Sequence, residues 1–189
     1  MSETTFPRDL LTIEQWDALE ERAERHLELV EGVPIMTPSP RPLHQRIGMR
    51  LGRLLSDRLP DRLEVLHEVE IAIDLRFPPT VRVPDLVVVP AAVVDANPVR
   101  ITASDVALAV EIVSPGSRRT DHVMKRYEYE QAGIPHFWIV DLDAAGDARF
   151  LALRLVDGRY EAQHVLHGDT VRVDEPVALE FAVSSLSSR

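Results

Sequence analysis

The sequence predicts an α/β fold, and three observations carry that prediction. Residues 106–113 and 136–140 are apolar strands separated by a helical stretch at 118–132, a strand–helix–strand order that favours a parallel, right-handed crossover. Residues 42–59 repeat apolar side chains at helical spacing. Residues 63–74 alternate apolar and polar side chains as a half-buried strand does. The 189 residues contain no internal repeat and no long linker, which predicts a single domain over 1–189.

In chain order, residues 12–24 predict a helix, with Thr12 as its cap, Gln15 three residues on, and Leu11, Trp16 and Leu19 as apolar positions. His26–Glu31 and Val33–Met36 predict strands joined at Glu31-Gly32, followed by a loop at Thr37-Pro38-Ser39-Pro40. In the 42–59 helix Leu43, Ile47, Leu51, Leu54 and Leu55 form the apolar stripe. Gly48 and Gly52 on that helix weaken it and predict close approach by another backbone.

In the 63–74 strand, Leu63, Val65, His67, Val69, Ile71 and Ile73 are expected to face the core, with Glu64, Glu68, Glu70 and Asp74 opposite. His67 is read as a core histidine before a ligand. After a turn at residues 77–80, a strand runs over 82–89, where Pro84 favours an edge or a strand start. The 106–113 strand is apolar on both faces and therefore central. Ser114-Pro115-Gly116-Ser117 ends it, and Gly133 stops the following helix. Residues 148–182 predict a β-meander with turns at Asp157-Gly158 and Gly168-Asp169.

Composition narrows the chemistry. The chain has no cysteine, which excludes disulfides, zinc–thiolate sites and cysteine nucleophiles. No apolar run reaches the roughly 18–20 residues that span a bilayer, and Met1–Arg8 lacks a secretory apolar core, so the expected location is the cytoplasm. A net charge of −10 opposes indiscriminate adhesion to nucleic acid, while Arg41, Arg46, Arg50 and Arg53 on one helix and Arg118, Arg119, Lys125 and Arg126 on another leave room for local basic surfaces. Solvated helix surface is the simpler reading of each cluster. No Gly-x-Ser-x-Gly elbow, Walker motif or His-Glu-x-x-His motif is present.

The candidate site rests on buried charge. Glu111 is the sole charge on a strand face otherwise lined by small side chains, and Asp85 lies in the apolar run Val83–Val89. A carboxylate so placed is costly unless paired or metal-bound. Two such carboxylates on neighbouring strands can share Mg²⁺, with Mn²⁺ as a substitute, and the backbone carbonyl of Ile112 can complete the protein ligands. Lys125 is the only lysine among 21 basic residues, and an ammonium can orient or deprotonate a metal-bound water where a guanidinium cannot. Asp121, Lys125 and Tyr129 line one side of the 118–132 helix, so Lys125 reaches Glu111 if that helix packs across the sheet face bearing it. The alternative is a solvent-facing Asp121–Lys125 pair.

These residues resemble the PD-(D/E)XK nuclease superfamily, and within it the Uma-type family grouped with restriction endonucleases. The resemblance is carried by Leu27-Glu28-Leu29-Val30-Glu31-Gly32, Ser39-Pro40, His44-Gln45, Val83-Pro84-Asp85-Leu86 and Val110-Glu111-Ile112-Val113-Ser114-Pro115. Asp121…Lys125…Tyr129 and Gly133-Ile134-Pro135-His136-Phe137-Trp138-Ile139-Val140-Asp141 complete it, over a core of about 12–155. It implies a restriction-endonuclease-like mixed sheet flanked by helices. It also implies that Asp85 and Glu111 hold Mg²⁺, that Lys125 replaces a lysine the superfamily usually places where Val113 stands, and that Glu28 assists metal or water. His44 and Tyr129 become candidate contacts to phosphate or water. Leu27 departs from the aromatic residue usual before Glu28.

The expected function is a Mg²⁺-dependent phosphodiester hydrolase cutting DNA. The alternatives are a catalytically inactive nuclease-fold module binding nucleic acid or protein, and a hydrolase of small phosphorylated substrates. DNA is the expected partner, a homodimer fits nucleases that cut both strands, and no membrane association is expected.

Overall fold

The computed structural model describes residues 9–19, 27–37, 39–114, 117–144, 149–163 and 165–188. Residues 20–24 of the first predicted helix, His26, Pro38, Pro115-Gly116 and residues 148 and 164 of the predicted meander lie outside them.

The chain opens with α1 (Ile13–Asp17), shorter than predicted but capped as expected: Gln15 N–H donates to Thr12 Oγ1, and Thr12 N–H donates to the Gln15 side chain. β1 (Leu27–Val30) and β2 (Val33–Met36) form an antiparallel hairpin. Its turn places Glu31 at φ 48° and Gly32 at φ 76°, the two left-handed residues that a tight hairpin demands. α2 (Pro42–Ser56) follows, ending three residues before the predicted stop.

The predicted 63–74 strand is two strands, β3 (Leu63–His67) and β4 (Ile71–Asp74), in different sheets. Glu68 takes φ 51° between them, and its N–H donates to the Asp85 carbonyl at 3.3 Å instead of continuing one ladder. The predicted 82–89 strand divides likewise, into β5 (Thr80–Arg82) and β6 (Leu86–Pro90). Pro84 marks neither an edge nor a strand start: both strands have a partner on each side. It sits, buried, where the chain crosses between sheets, a point that needs no ladder N–H.

Next come α3 (Ala91–Ala96), β7 (Ile101–Thr102) and β8 (Leu108–Ile112). The helical run after β8 starts at Arg118, takes a π-helical course over Thr120–Lys125 and continues as α4 (Arg126–Gln131) before Gly133 at φ 78°. β9 (His136–Val140), β10 (Phe150–Val156) and β11 (Arg159–Ala162) then extend the sheet that contains β8. β12 (Val165–His167), β13 (Thr170–Val173) and β14 (Leu179–Ala182) form a separate antiparallel sheet, so the predicted meander divides between two sheets.

The organising element is the six-stranded mixed sheet in the order β11-β10-β9-β8-β6-β3, with β8 and β9 its one parallel pair. The strand–helix–strand reading of 106–140 therefore holds. A five-stranded sheet, β2-β1-β5-β4-β7, adjoins it through the Val83–Asp85 crossing. On one face of the six-stranded sheet, Leu108, Val110 and Ile112 pack with Ile47, Leu51 and Leu55 of α2 and with Val171 and Phe181 of the small sheet. On the other, Ala109, Phe137 and Ile139 pack with Tyr129 of α4 and Ile134. The period-2 side-chain alternation of β8 assigns its residues to these faces, and Glu111 lies on the α4 face.

Side chains, not the predicted backbone, approach the two glycines of α2. A Cβ on Gly52 would stand 2.9 Å from His67 Nε2, while one on Gly48 would meet only Ile112 Cδ1, at 3.5 Å. His67 itself is exposed rather than in the core. Gly48→Ala is therefore expected to stabilise the fold by about 0.5–1 kcal/mol, the helix-propensity gain, measured by chemical denaturation. A loss of stability would show that α2 lies closer to β8 than this contact indicates.

Candidate active site

The crossing from β5 to β6 brings the two larger sheets together, and the charged residues gather there. Glu28 comes from β1, Arg82 from β5, Asp85 from the residue before β6, and Glu111 and Ile112 from β8. Lys125 ends the π-helical segment, which spans a buried face carrying Asp121 and Lys125 and leads to Tyr129 on α4. Such segments are frequent at functional sites because the wider turn re-aims side chains.

Lys125 is turned inward, with only 5% of its surface exposed. Its Nζ donates to Glu111 Oε2 at 2.8 Å and stands 3.2 Å from Glu28 Oε1 and 3.8 Å from Asp121 Oδ1. The solvent-facing alternative for this lysine is thereby removed. The Tyr129 hydroxyl, fully buried, donates to Glu111 Oε1 at 2.7 Å. Glu28 is buried too: Oε2 accepts from Arg82 Nη1 at 2.8 Å and Oε1 from the Val83 N–H at 3.1 Å. Asp85 Oδ2 accepts the Ile112 N–H at 2.6 Å. His44 Nε2 lies 2.9 Å from the Ile112 carbonyl oxygen and 3.3 Å from Asp85 Oδ1. Both neighbours are acceptors, so this nitrogen carries a proton.

All seven residues named from sequence therefore fall in one place. Glu28, Asp85, Glu111, Ile112, Lys125 and His44 line one cavity of about 810 Å³, and Tyr129 lies behind Glu111. Ile35, Met36, Leu43 and Met124 supply apolar wall.

The electrostatics are those of a cluster with more carboxylates than cations. Burial pushes the Glu111 carboxyl well above its ordinary range; Lys125 opposes this, and the charges of Asp121, Asp85 and Glu28 add to it. Asp121 is raised for the same leading reason, burial. Burial also works against a charge on Lys125, but Glu111, Glu28 and Asp121 outweigh it and hold the ammonium protonated. Glu28 is lowered despite its burial, because Lys125 and Arg82 flank it. Burial resists a charge on His44 as well, yet Asp85 and the Ile112 carbonyl raise its pKa. Glu111 and Asp121 are thus the carboxyls of the cluster whose protonated forms burial favours.

Among the described residues no group of three His, Asp or Glu side chains is arranged to hold a metal ion. The donor set expected from sequence is different: two carboxylates, Asp85 and Glu111, with the Ile112 carbonyl. All are hard oxygen donors, as Mg²⁺ requires. A single atom, His44 Nε2, lies near both Asp85 Oδ1 and Ile112 O, so those two oxygens converge. Glu111, on β8 beside Ile112, supplies the third oxygen donor, and its carboxyl feels the charge of Asp85. In donor chemistry these residues suit a hard divalent cation.

Arg82 and Glu128 were missed from sequence. Arg82 is 1% exposed, and its guanidinium donates to Glu28 and twice to Glu128. The signal existed: Arg82 is a charge between Val81 and Val83, the same pattern that singled out Glu111. The predicted basic clusters are mostly engaged within the protein. Arg46 and Arg50 donate to carbonyls of Ser185, Ser187 and Ser188, Arg118 pairs with buried Asp141, and Arg126 donates to the Tyr160 carbonyl.

The Uma2 family profile, described as "Putative restriction endonuclease", matches residues 13–185. A crystal structure described as a putative nuclease belonging to DUF820 from Anabaena variabilis ATCC 29413 aligns with a TM-score of 0.71 at 21% identity, covering 93% of this chain and 97% of that one. This likeness establishes the restriction-endonuclease-like fold of a mixed sheet flanked by helices. No curated protein matches. Among the described residues no helix is long and apolar enough to cross a membrane.

Proposed function

The chain belongs to the Uma2 family of nuclease-like proteins, and from that membership and the geometry above we propose that it is a Mg²⁺-dependent phosphodiester hydrolase that cuts DNA. The observation that carries this reading is the inward-facing Lys125, held against Glu111 and Glu28 on the wall of the cavity that Asp85 and the Ile112 carbonyl also line.

Asp85, Glu111 and the Ile112 carbonyl would hold the ion. When bound, Mg²⁺ supplies charge stabilisation at a phosphoryl oxygen and a more acidic water. The chain's own groups orient the reaction. Lys125 stays protonated, so its role is to position water or phosphate oxygen rather than to act as a base. An ammonium has three protons; Glu111 takes one and Glu28 can take a second, while Asp121 at 3.8 Å is beyond hydrogen-bond reach. The third proton is available to a water or phosphate oxygen in the cavity. Glu28, fixed by Arg82 and Val83, keeps the ammonium from turning away. Tyr129 restrains Glu111 from behind.

The purified protein is expected to nick supercoiled plasmid DNA with Mg²⁺ or Mn²⁺ and not with EDTA. Calorimetry should show Mn²⁺ binding that Asp85→Asn weakens about 10–100-fold, since asparagine keeps the acceptor for the Ile112 N–H but loses the charge. Cleavage that survives Glu111→Ala and Lys125→Ala unchanged would remove this mechanism.

A second reading, a non-catalytic module of the same fold binding nucleic acid or protein, is favoured by one observation. Both Glu111 oxygens already have partners, so the cluster can be satisfied without an ion. Absence of Mn²⁺ binding would favour that reading.

A further inference from the structure

We infer that Arg82 is a positioning residue for Lys125, acting through Glu28 on one side and Glu128 on the other; the role in cleavage rests on the proposed hydrolase reading, while the positioning itself does not. Arg82 lies on β5, in the sheet that adjoins the one bearing Glu111. Its Nε and Nη2 each donate to a Glu128 oxygen at 2.7 Å, a bidentate contact that fixes the relative plane of the two groups. Glu128 stands three residues after Lys125 on the same helical run. The remaining arm, Nη1, donates to Glu28 Oε2 at 2.8 Å. That leaves Glu28 Oε1 to accept from Val83 and to face Lys125 Nζ.

Arg82 therefore holds both ends of the geometry. It decides which Glu28 oxygen meets the ammonium, and it ties the helical run that carries the ammonium to the strand beside Glu28. The series Glu128–Arg82–Glu28–Lys125–Glu111, buried from Arg82 onward, alternates in sign along its length. A guanidinium with 1% exposure is expensive to bury, and apolar side chains would stabilise such a position as well or better. What they could not supply is the three-armed, planar grip on two carboxylates from different elements.

The experiment exploits Lys125 as the chain's only lysine. Lysine labelled with ¹³C at Cε and ¹⁵N at Nζ gives one side-chain signal from this 189-residue chain. Two variants are compared with it. Arg82→Gln removes the grip outright. Glu128→Asp keeps the charge on a partly exposed residue but shortens its reach, and it remains informative if Arg82→Gln fails to fold. The Lys125 signal is expected to shift in Glu128→Asp, with kcat for plasmid nicking about 10-fold lower and KM unchanged. A lower melting temperature with an unmoved lysine signal would mean a purely structural role and would overturn the inference. If the wild-type protein cleaves nothing, the hydrolase reading fails, and the lysine signal by itself still decides the position of Arg82.

Discussion

Replacing Lys125 with methionine is expected to abolish metal-dependent cleavage and to lower stability by about 3–5 kcal/mol, the range for removing one partner from a buried ion pair. Both losses come from the same geometry. Lys125 is the ammonium among Glu28, Glu111 and Asp121, all at 2–3% exposure. Methionine matches its length but leaves those carboxylates facing one another. They must then take up protons or draw in water, at the expense of packing against Tyr129 and β8. Nicking should fall at least about 100-fold, comparable to the loss of a key charge-stabilising donor. Chemical denaturation separates the two effects, since activity is scored per folded molecule. Lys125→Arg is the sharper comparison. It keeps the charge in a chain that otherwise uses arginine, but a planar fork does not reproduce a compact ammonium aimed at two carboxylates. Full activity in Lys125→Arg would show that the amine itself is dispensable.

Glu111→Gln is expected to do the opposite to stability while also removing cleavage. The glutamine oxygen can accept from Lys125, and its amide can donate to the Tyr129 oxygen, so both contacts survive in altered form. What disappears is a buried negative charge beside Asp121, Asp85 and Glu28. Cleavage should drop at least about 100-fold with the loss of a ligating carboxylate. The stability difference depends on pH with a definite sign. The folded-state pKa of Glu111 lies above its ordinary value of 4.5, so the native state binds more protons than the unfolded chain over that interval. The contribution of Glu111 is fully present below 4.5 and is lost as pH rises through the folded-state pKa. Denaturation in EDTA should therefore show Glu111→Gln gaining on the wild type as pH increases from about 5 to 8. A gap that narrows over that range would mean that Lys125 outweighs burial.

The site was legible in sequence because it breaks a pattern. Glu111 interrupts an apolar strand, Asp85 follows a proline in another, and Lys125 stands alone among arginines. Buried charge needs partners, so each of these residues points to the others. Arg82 breaks the same pattern, but its significance depends on Glu28 and Glu128, which lie 54 and 46 residues away in sequence. The basic clusters misled in the other direction. Helical periodicity put Arg46 and Arg50 on one surface, but the carbonyls they meet belong to a C-terminal turn more than a hundred residues distant.

Strand boundaries show the same division. The alternation through 63–74 is real, yet it continues across Glu68, where the chain turns from one sheet to another. Side-chain period reports which face is apolar, and it is blind to which sheet supplies the partner strand. Pro84 was noticed for its missing N–H, but only the two finished sheets show that it stands at their junction.

By itself the sequence determined the α/β class, the faces of β8, the capped start of α1, and a set of charged residues that could not lie buried without one another. These follow from local periodicity and from the cost of burying a charge, both written in residue order. The tertiary structure alone decided that the Lys125 ammonium faces Glu111, that Arg82 grips Glu28 and Glu128, and that two sheets meet at Pro84. Those facts depend on distances between residues far apart in the chain, and such distances exist only once the sheets have packed.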